Sequence, residues 1–353
     1  MYRYSLLATG CLNRNASFVR LRELGLALAR RDIDVHFVLD ATEYNRSLVN
    51  DLQPATVHYL DGTSRVLRLS RRRRLLRDLR TDAVHILNPQ PLNTLSIAGS
   101  RVPLVCDWDE LLSVRDRPMW RGPSDLASEA YGRRRAALNV VASRYLQDIF
   151  RERYDIDALY LPYAPYLPEV KKGSNPFPRA TAVYVGNLVK DYDHDIIIDA
   201  WEILGRRGVE IDLVIAGGGP LLETIRADVS RRGLDNVRLE GYTVGQKLVD
   251  LITHAHLLLL PIRDTPGNRA RCPSKTFAYI QARRPIIANP VGEVFEALAG
   301  SATFVPQSPE AFASAVEGTS GKTLPDVHYG RVPSWQDMGD RLIETLEARR
   351  VFH

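Results

Sequence analysis

Lysine is scarce in this chain. Of 47 basic residues in 353, six are lysines, at positions 171, 172, 190, 247, 275 and 322, so arginine carries the positive charge and a lysine inside a motif stands out. Cysteine is scarcer still. Cys11, Cys106 and Cys272 are odd in number and far apart, which excludes a disulfide framework and a zinc-ligand spacing, and leaves burial as the simplest reading of Cys272. No apolar run reaches about 18 residues, so no membrane-spanning helix is expected. Neither a Gly-x-Ser-x-Gly elbow nor a phosphate loop ending in Gly-Lys-Ser/Thr occurs, which removes the hydrolase and nucleoside-triphosphatase readings that those motifs carry. The histidines offer no metal spacing. His254 and His256 sit too close to share a helix face, His85 lies inside an apolar strand, and His36, His58, His194 and His328 are isolated.

What is present is alternation. Apolar runs that read as strands near Tyr4 to Ala8, Val35 to Leu39, Thr56 to Tyr59, Ala83 to Leu87, Leu104 to Cys106, Ala137 to Ala142 and Leu159 to Leu161 are separated by helical patterns such as Phe18 to Arg30. A second series follows at Ala182 to Val185, Ile211 to Ala216, Val237 to Glu240, Leu257 to Leu260, Ile286 to Ala288 and Thr303 to Val305. Strand-helix alternation predicts doubly wound parallel sheets, and 353 residues at 45% hydrophobic content suffice for two cores. Between the series, Leu161 to Ala180 carries five prolines and a Lys-Lys-Gly-Ser-Asn run, as a linker would. The expected domains are 1–165 and 166–333, with a helix over 334–353. The opening MYRYSLLATG enters a strand pattern without a charged leader and cleavage site, so the expected compartment is the cytoplasm.

The most informative stretch is Pro261 to Glu293. A buried strand breaks at Pro261, Pro266 and Gly267 into a loop bearing Arg263, Asp264, Asn268, Arg269 and Arg271, and a helix then opens at Pro273, Ser274 and Lys275. Unpaired amides at a helix N-terminus beside a lysine favour an anion, so a phosphate site is one reading. Solvated loop charges, with Lys275 covering the helix end, are the other.

These residues resemble the C-terminal-domain signature of family 4 glycosyltransferases, retaining enzymes of the GT-B fold. The variant in question has a loop reading N-R-A-R-x-P-x-K, here Asn268, Arg269, Ala270, Arg271, Pro273 and Lys275, followed by Ala282, Arg284, Pro285, Ile286 and Ile287. The resemblance implies two Rossmann-like domains facing across a cleft, a nucleotide diphosphate sugar as co-substrate, no resident cofactor or metal, and a C-terminal helix crossing back to the N-terminal domain. It implies a donor pyrophosphate near Arg271, Ser274 and Lys275, and the sugar over the loop that holds Asn268. Many relatives carry two glutamates separated by seven residues; the matching positions here are Ala270 and Ala278.

Parallel sheets bind ligands beyond the carboxyl ends of their strands. On the donor side those loops contain Gly186, Asn187 and Lys190, then the glycine run at 217–219 that includes Gly218, then Tyr242 where relatives receive the base. Tight strand-to-helix packing explains the glycine run equally well. On the other side, Asp107, Asp109 and Glu110 end the strand in VPLVCDWDELLS; they are candidates for orienting or deprotonating an acceptor hydroxyl, or for capping a helix. Gly10 and Asn88 should line the same region.

One further segment carries charge. Ser64 to Arg80 interleaves Val66, Leu67, Leu69, Leu75, Leu76 and Leu79 with eight arginines. It reads either as a helix lying on an anionic membrane surface or as a surface helix with its leucines in the core. Nucleic acid is not indicated, since no aromatics interleave with the cluster. The combined expectation is a metal-independent glycosyltransferase of hexosyltransferase type. It would act on a lipid-linked or glycan acceptor in polysaccharide or glycoconjugate synthesis, peripheral to the inner membrane face. A non-catalytic protein of the same shape and a nucleotide-sugar epimerase of the same architecture are the alternatives.

Overall fold

The computed structural model describes residues 2–8, 16–47, 52–62, 64–114, 122–167, 173–190, 192–330 and 332–352. The chain divides into two compact units. Unit 1 comprises Met1–Ala164, Ala270–Cys272 and Pro333–His353; unit 2 comprises Pro165–Arg269 and Pro273–Val332.

Unit 1 is built on seven parallel strands: β1 (Arg3–Leu7), β2 (Asp34–Asp40), β3 (Thr56–Leu60), β4 (Ala83–Leu87), β5 (Leu104–Trp108), β6 (Leu138–Val141) and β7 (Leu159–Tyr160). Their order is β3-β2-β1-β4-β5-β6-β7, and the order reverses between β1 and β4, where a doubly wound sheet opens its ligand crevice. Strands β4 and β5 are buried at every position, as sheets covered by helices on both faces require. Helix α1 (Ala16–Ala29) packs against α14 (Trp335–Ala348), and Arg31 donates to Asp340 through both Nε and Nη2 at 2.7 and 2.6 Å. Helix α14 opens on a capping box: Ser334 Oγ accepts from Asp337 N while the Asp337 carboxylate accepts from Ser334 N, an arrangement that contributes about 1 kcal/mol.

Helix α3 (Arg65–Leu79) is a surface helix with one side turned into the core. Leu76 is buried, and Arg72 is 1% exposed, with Nη2 2.6 Å from Asp40 Oδ1 at the end of β2. Arg71, Arg73, Arg74 and Arg77 face solvent beside Val66 and Leu67, which are 75% and 51% exposed. Part of the helix serves the core, and part is an exposed basic and apolar face.

Unit 2 holds six parallel strands, β8 (Thr181–Val185), β9 (Asp212–Ala216), β10 (Val237–Gly241), β11 (Leu257–Leu260), β12 (Ile286–Ala288) and β13 (Thr303–Phe304), in the order β10-β9-β8-β11-β12-β13. The run Leu257 to Leu260 is buried throughout and forms the sheet's middle with β8. Helix α7 (His194–Arg206) lays Ile197, Trp201 and Leu204 into a core shared with Phe312 and Val316 of α13 (Pro309–Glu317). The loop after β11 is not wholly irregular. Pro266–Ala270 forms a short helix α10, and α11 (Ser274–Ala282) follows with Pro273 as its N-cap residue. No helix among the described residues is long and apolar enough to cross a membrane.

Candidate functional site

In unit 2 the carboxyl ends of β8, β9 and β10 meet in backbone contact. A Cβ on Gly217 would stand 1.8 Å from the carbonyl oxygen of Gly186, so the glycine run answers first to the approach of two strand-end loops. Leu188 N donates to Gly218 O at 2.9 Å, and a Cβ on Gly218 would meet the Tyr242 Cβ at 3.5 Å, an ordinary contact. Asn187, Lys190 and Tyr242 stand exposed on this rim.

Lys275 enters the same region from the first turn of α11. It is 8% exposed; Nζ donates to Tyr184 Oη at 2.9 Å and sits 3.6 Å from the ring centroid of Tyr192 and 4.3 Å from that of Tyr184. No carboxylate among the described residues lies within ion-pairing distance of it, and burial draws its pKa well below the usual lysine value. His194 Nε2 approaches the same Tyr184 hydroxyl at 3.1 Å; burial first, and then the Lys275 charge, bring this imidazole down to about 3.

The loop before α11 is held by its own charges. Arg263 donates to Asp193 at 2.6 Å, and Arg269 grips Asp264 through two bonds of 2.6 and 2.7 Å. Asn268 is buried, its amide donating to Arg263 O at 2.8 Å, so it staples the loop. Ala270 and Ala278, where relatives carry the two glutamates, are both buried.

In unit 1 the acids after β5 have separate fates. Asp107 is fully buried: Arg20 of α1 takes both its oxygens, at 2.7 and 2.8 Å, and His85 Nε2 lies 3.2 Å away with Tyr4 Oη 2.9 Å behind it. Burial pushes the Asp107 carboxyl up, and Arg20 and His85 together more than reverse this, leaving it below the ordinary range. With both oxygens committed, Asp107 is placed to position Arg20 rather than to meet an acceptor.

Asp109 accepts from Ser17 Oγ at 2.7 Å and Tyr163 Oη at 3.1 Å on one oxygen and from Asn88 Nδ2 on the other. Asn88 holds a left-handed φ of 54°, which lets its side chain also reach Glu110 Oε1 at 3.3 Å. Arg271 belongs to this unit, its Nε 3.8 Å from Glu110 Oε2, while Ser143 Oγ donates to Ala270 O and Tyr163 N to the Cys272 sulfur. These acids do not cap the turn that follows. Glu129 of α5 (Gly122–Arg135) does so, accepting from Leu112 N and Ser113 N at 2.6 and 3.0 Å.

The sequence-derived candidates therefore form two groups. Gly186, Asn187, Lys190, Gly218, Tyr242, Ser274 and Lys275 collect in unit 2; Asn88, Asp107, Asp109, Glu110 and Arg271 collect in unit 1. Asn268 supports its loop instead, and Gly10 lies outside the described residues. Ser17, Arg20, Tyr163, Tyr184, Tyr192 and His194 were not singled out by any motif. Their only signal is position, near a strand end or on the first turns of the following helix. No group of three His, Cys, Asp or Glu side chains among the described residues is placed to hold a metal ion.

Two family models match. Residues 18–164 match a glycosyl transferase 4-like domain and residues 179–320 match glycosyl transferases group 1, most of the chain between them. Alpha-D-kanosaminyltransferase of Streptomyces kanamyceticus is 26% identical over 172 residues, which is 48% of this chain and 38% of that protein. Among solved structures, Anabaena HepE in complex with UDP-glucose has a TM-score of 0.77 at 14% identity, covering 99% of this chain and 100% of its own. A glycosyltransferase from Rickettsia africae has a TM-score of 0.75 at 11% identity, covering 99% and 98%. Both share the two-sheet architecture. By the two matched domains and this fold, the chain belongs to the GT-B glycosyltransferases.

Proposed function

We propose that this protein is a retaining glycosyltransferase that moves a hexose-type sugar from a nucleotide diphosphate sugar to a glycan or lipid-linked acceptor. The observation that carries the reading is Lys275: a buried amine with no carboxylate partner among the described residues, at the N-terminus of α11 and beside the Gly186 turn. Such a group is costly unless an anion comes to it. The ligands and activities named for the relatives, UDP-glucose and kanosaminyl transfer, support a nucleotide-sugar donor.

In this reading unit 2 takes the donor. Lys275 and the first amides of α11 hold the diphosphate and stabilise the charge that grows on it as the bond to the sugar's anomeric carbon breaks, a task worth a few kcal/mol for one well-placed donor. That assigns to a side chain the neutralisation that a bound metal would otherwise supply. Gly186 and Gly218 let the backbone approach the donor, and Asn187, Lys190 and Tyr242 border it. Unit 1 takes the acceptor. Its hydroxyl oxygen bonds to the anomeric carbon on the face the diphosphate leaves, and its proton passes to Glu110, which Asn88 and Arg271 flank. Asp109, held by three donors, orients that group. The exposed arginines of α3 support contact with an anionic membrane surface, where a lipid-linked acceptor in glycoconjugate synthesis would lie.

The test is a thermal-shift panel against UDP, GDP, ADP, dTDP and their sugars, since a ligand that binds only the folded state stabilises it by about 2.7 kcal/mol at a hundredfold excess over Kd. A selective shift, followed by acceptor-dependent consumption of that sugar nucleotide, is expected. Conversion of the donor with no acceptor present would point to the epimerase alternative. Binding without turnover under any acceptor would favour a non-catalytic protein, a reading for which the alanines at 270 and 278 give some ground.

A further inference from the structure

Among the described residues, the groups around Lys275 do not neutralise it. Tyr184 faces it from β8, Tyr192 from the turn before α7, and His194 from the start of α7. Tyr279, one turn along α11, spends its hydroxyl on Val185 N at 2.7 Å and Leu259 O at 3.3 Å. Asp193 is taken by Arg263 and Gln307. On the remaining side stands Gly186, where a Cβ would lie 2.7 Å from Nζ, so nothing larger than backbone separates the amine from the strand-end loop. The side chain is thus fixed by one hydrogen bond and two ring faces, and none of these fixes its charge.

We infer that Lys275 gains its full charge only when an anion arrives, so that binding of the donor's diphosphate is coupled to uptake of a proton at Nζ. This rests on the reading of unit 2 as the donor site. The balance is simple: neutral amine, solvent proton and diphosphate become ammonium paired with diphosphate, with no covalent bond to carbon or phosphorus changed. Burial pulls the free amine's pKa well below its usual value, and a bound diphosphate pulls it back up. Between those two values binding takes up a proton, and affinity falls as pH rises. His194, whose pKa burial holds below the usual histidine range, adds no competing charge at pH 8. The ligand cannot be the source of the effect at pH 8, because a terminal phosphate with a pKa near about 6 is already deprotonated there.

Isothermal titration of the intact protein with UDP, GDP, ADP and dTDP at pH 8, each in two buffers of contrasting ionisation enthalpy, tests this. The expected result is net proton uptake by the parent with whichever nucleotide binds, and none in Lys275→Arg, whose guanidinium stays charged. If the arginine does not fit, Lys275→Met serves, with weaker binding and no uptake. Binding by the parent with zero uptake or net release overturns the inference and leaves the donor site standing. Uptake unchanged in either variant overturns it as well, because the proton then goes elsewhere. Failure of all four nucleotides to bind overturns the donor reading and this inference with it.

Discussion

Lys275→Met separates a functional lysine from a structural one, because the two roles predict opposite changes. In the parent an amine 8% exposed is kept inside unit 2 by one hydrogen bond to Tyr184 and contacts with two rings. The bond contributes about 1 kcal/mol and each ring contact about 0.5–1 kcal/mol. Against them stands the cost of holding the amine out of water, either as an ion or as a base deprotonated below its usual pKa. Methionine keeps most of the stem and its apolar contacts while removing that cost. The variant should therefore melt no lower than the parent, and higher by a few degrees if the whole difference is recovered. Transfer should behave otherwise. Loss of one preorganised donor at a site of developing charge costs about 3–4 kcal/mol, a fall of roughly 10²–10³ in turnover. Calorimetric melting and initial rates of donor consumption on the same preparations provide both numbers. A variant that melts several degrees lower yet keeps its rate would refute the reasoning, and Lys275 would be a packing residue.

Three other perturbations follow from the geometry. Arg20→Met leaves the buried Asp107 without its two-bond partner and should cost about 3–5 kcal/mol, with part of it recovered in the double variant that adds Asp107→Asn. The pH sign follows from the same pair: Asp107 is depressed in the folded protein, so its contribution is present at neutral pH and is lost as pH falls below about 4 towards the folded value. Melting curves from pH 7 to 3 should be steeper for the parent than for Asp107→Asn. Asn88→Gly accepts the left-handed φ of 54° without strain but removes the amide that orients Asp109 and Glu110. Stability should fall by about 1–3 kcal/mol, because buried Asp109 and Glu110 lose a donor, and transfer should fall by up to about 10²-fold; full activity would remove these acids from the mechanism. Replacing Arg71, Arg74 and Arg77 of α3 by glutamine should weaken binding to anionic vesicles by about 3 kcal/mol, roughly a hundredfold, on sedimentation. Equal binding would sink the membrane reading.

The sheets were legible because parallel strands covered on both faces must be continuous apolar runs, and Leu257 to Leu260 or Ala83 to Leu87 admit little else. The chemistry was legible only where it was local in sequence. Lys275 stood out in a chain poor in lysine and beside a helix start, but the groups that define its electrostatics, Tyr184, Tyr192 and His194, lie about 80 to 90 residues earlier and belong to no motif. Likewise His36 and His58 read as isolated, yet neighbouring strands bring His36 Nδ1 to 2.9 Å from His58 Nε2. The acid cluster shows the limit most sharply. Asp107, Asp109 and Glu110 are near neighbours in sequence, and composition alone treats them alike. Alternation along β5 sends Asp107 to Arg20, while the chain's exit from the strand carries Asp109 to Asn88, Ser17 and Tyr163. Asp107 has both oxygens on one guanidinium, whereas Glu110 lies between the Asn88 amide at 3.3 Å and Arg271 at 3.8 Å. Which acid of a cluster serves chemistry is therefore decided by what reaches it from β4, α1 and the segment before α11, and those partners are distant in sequence.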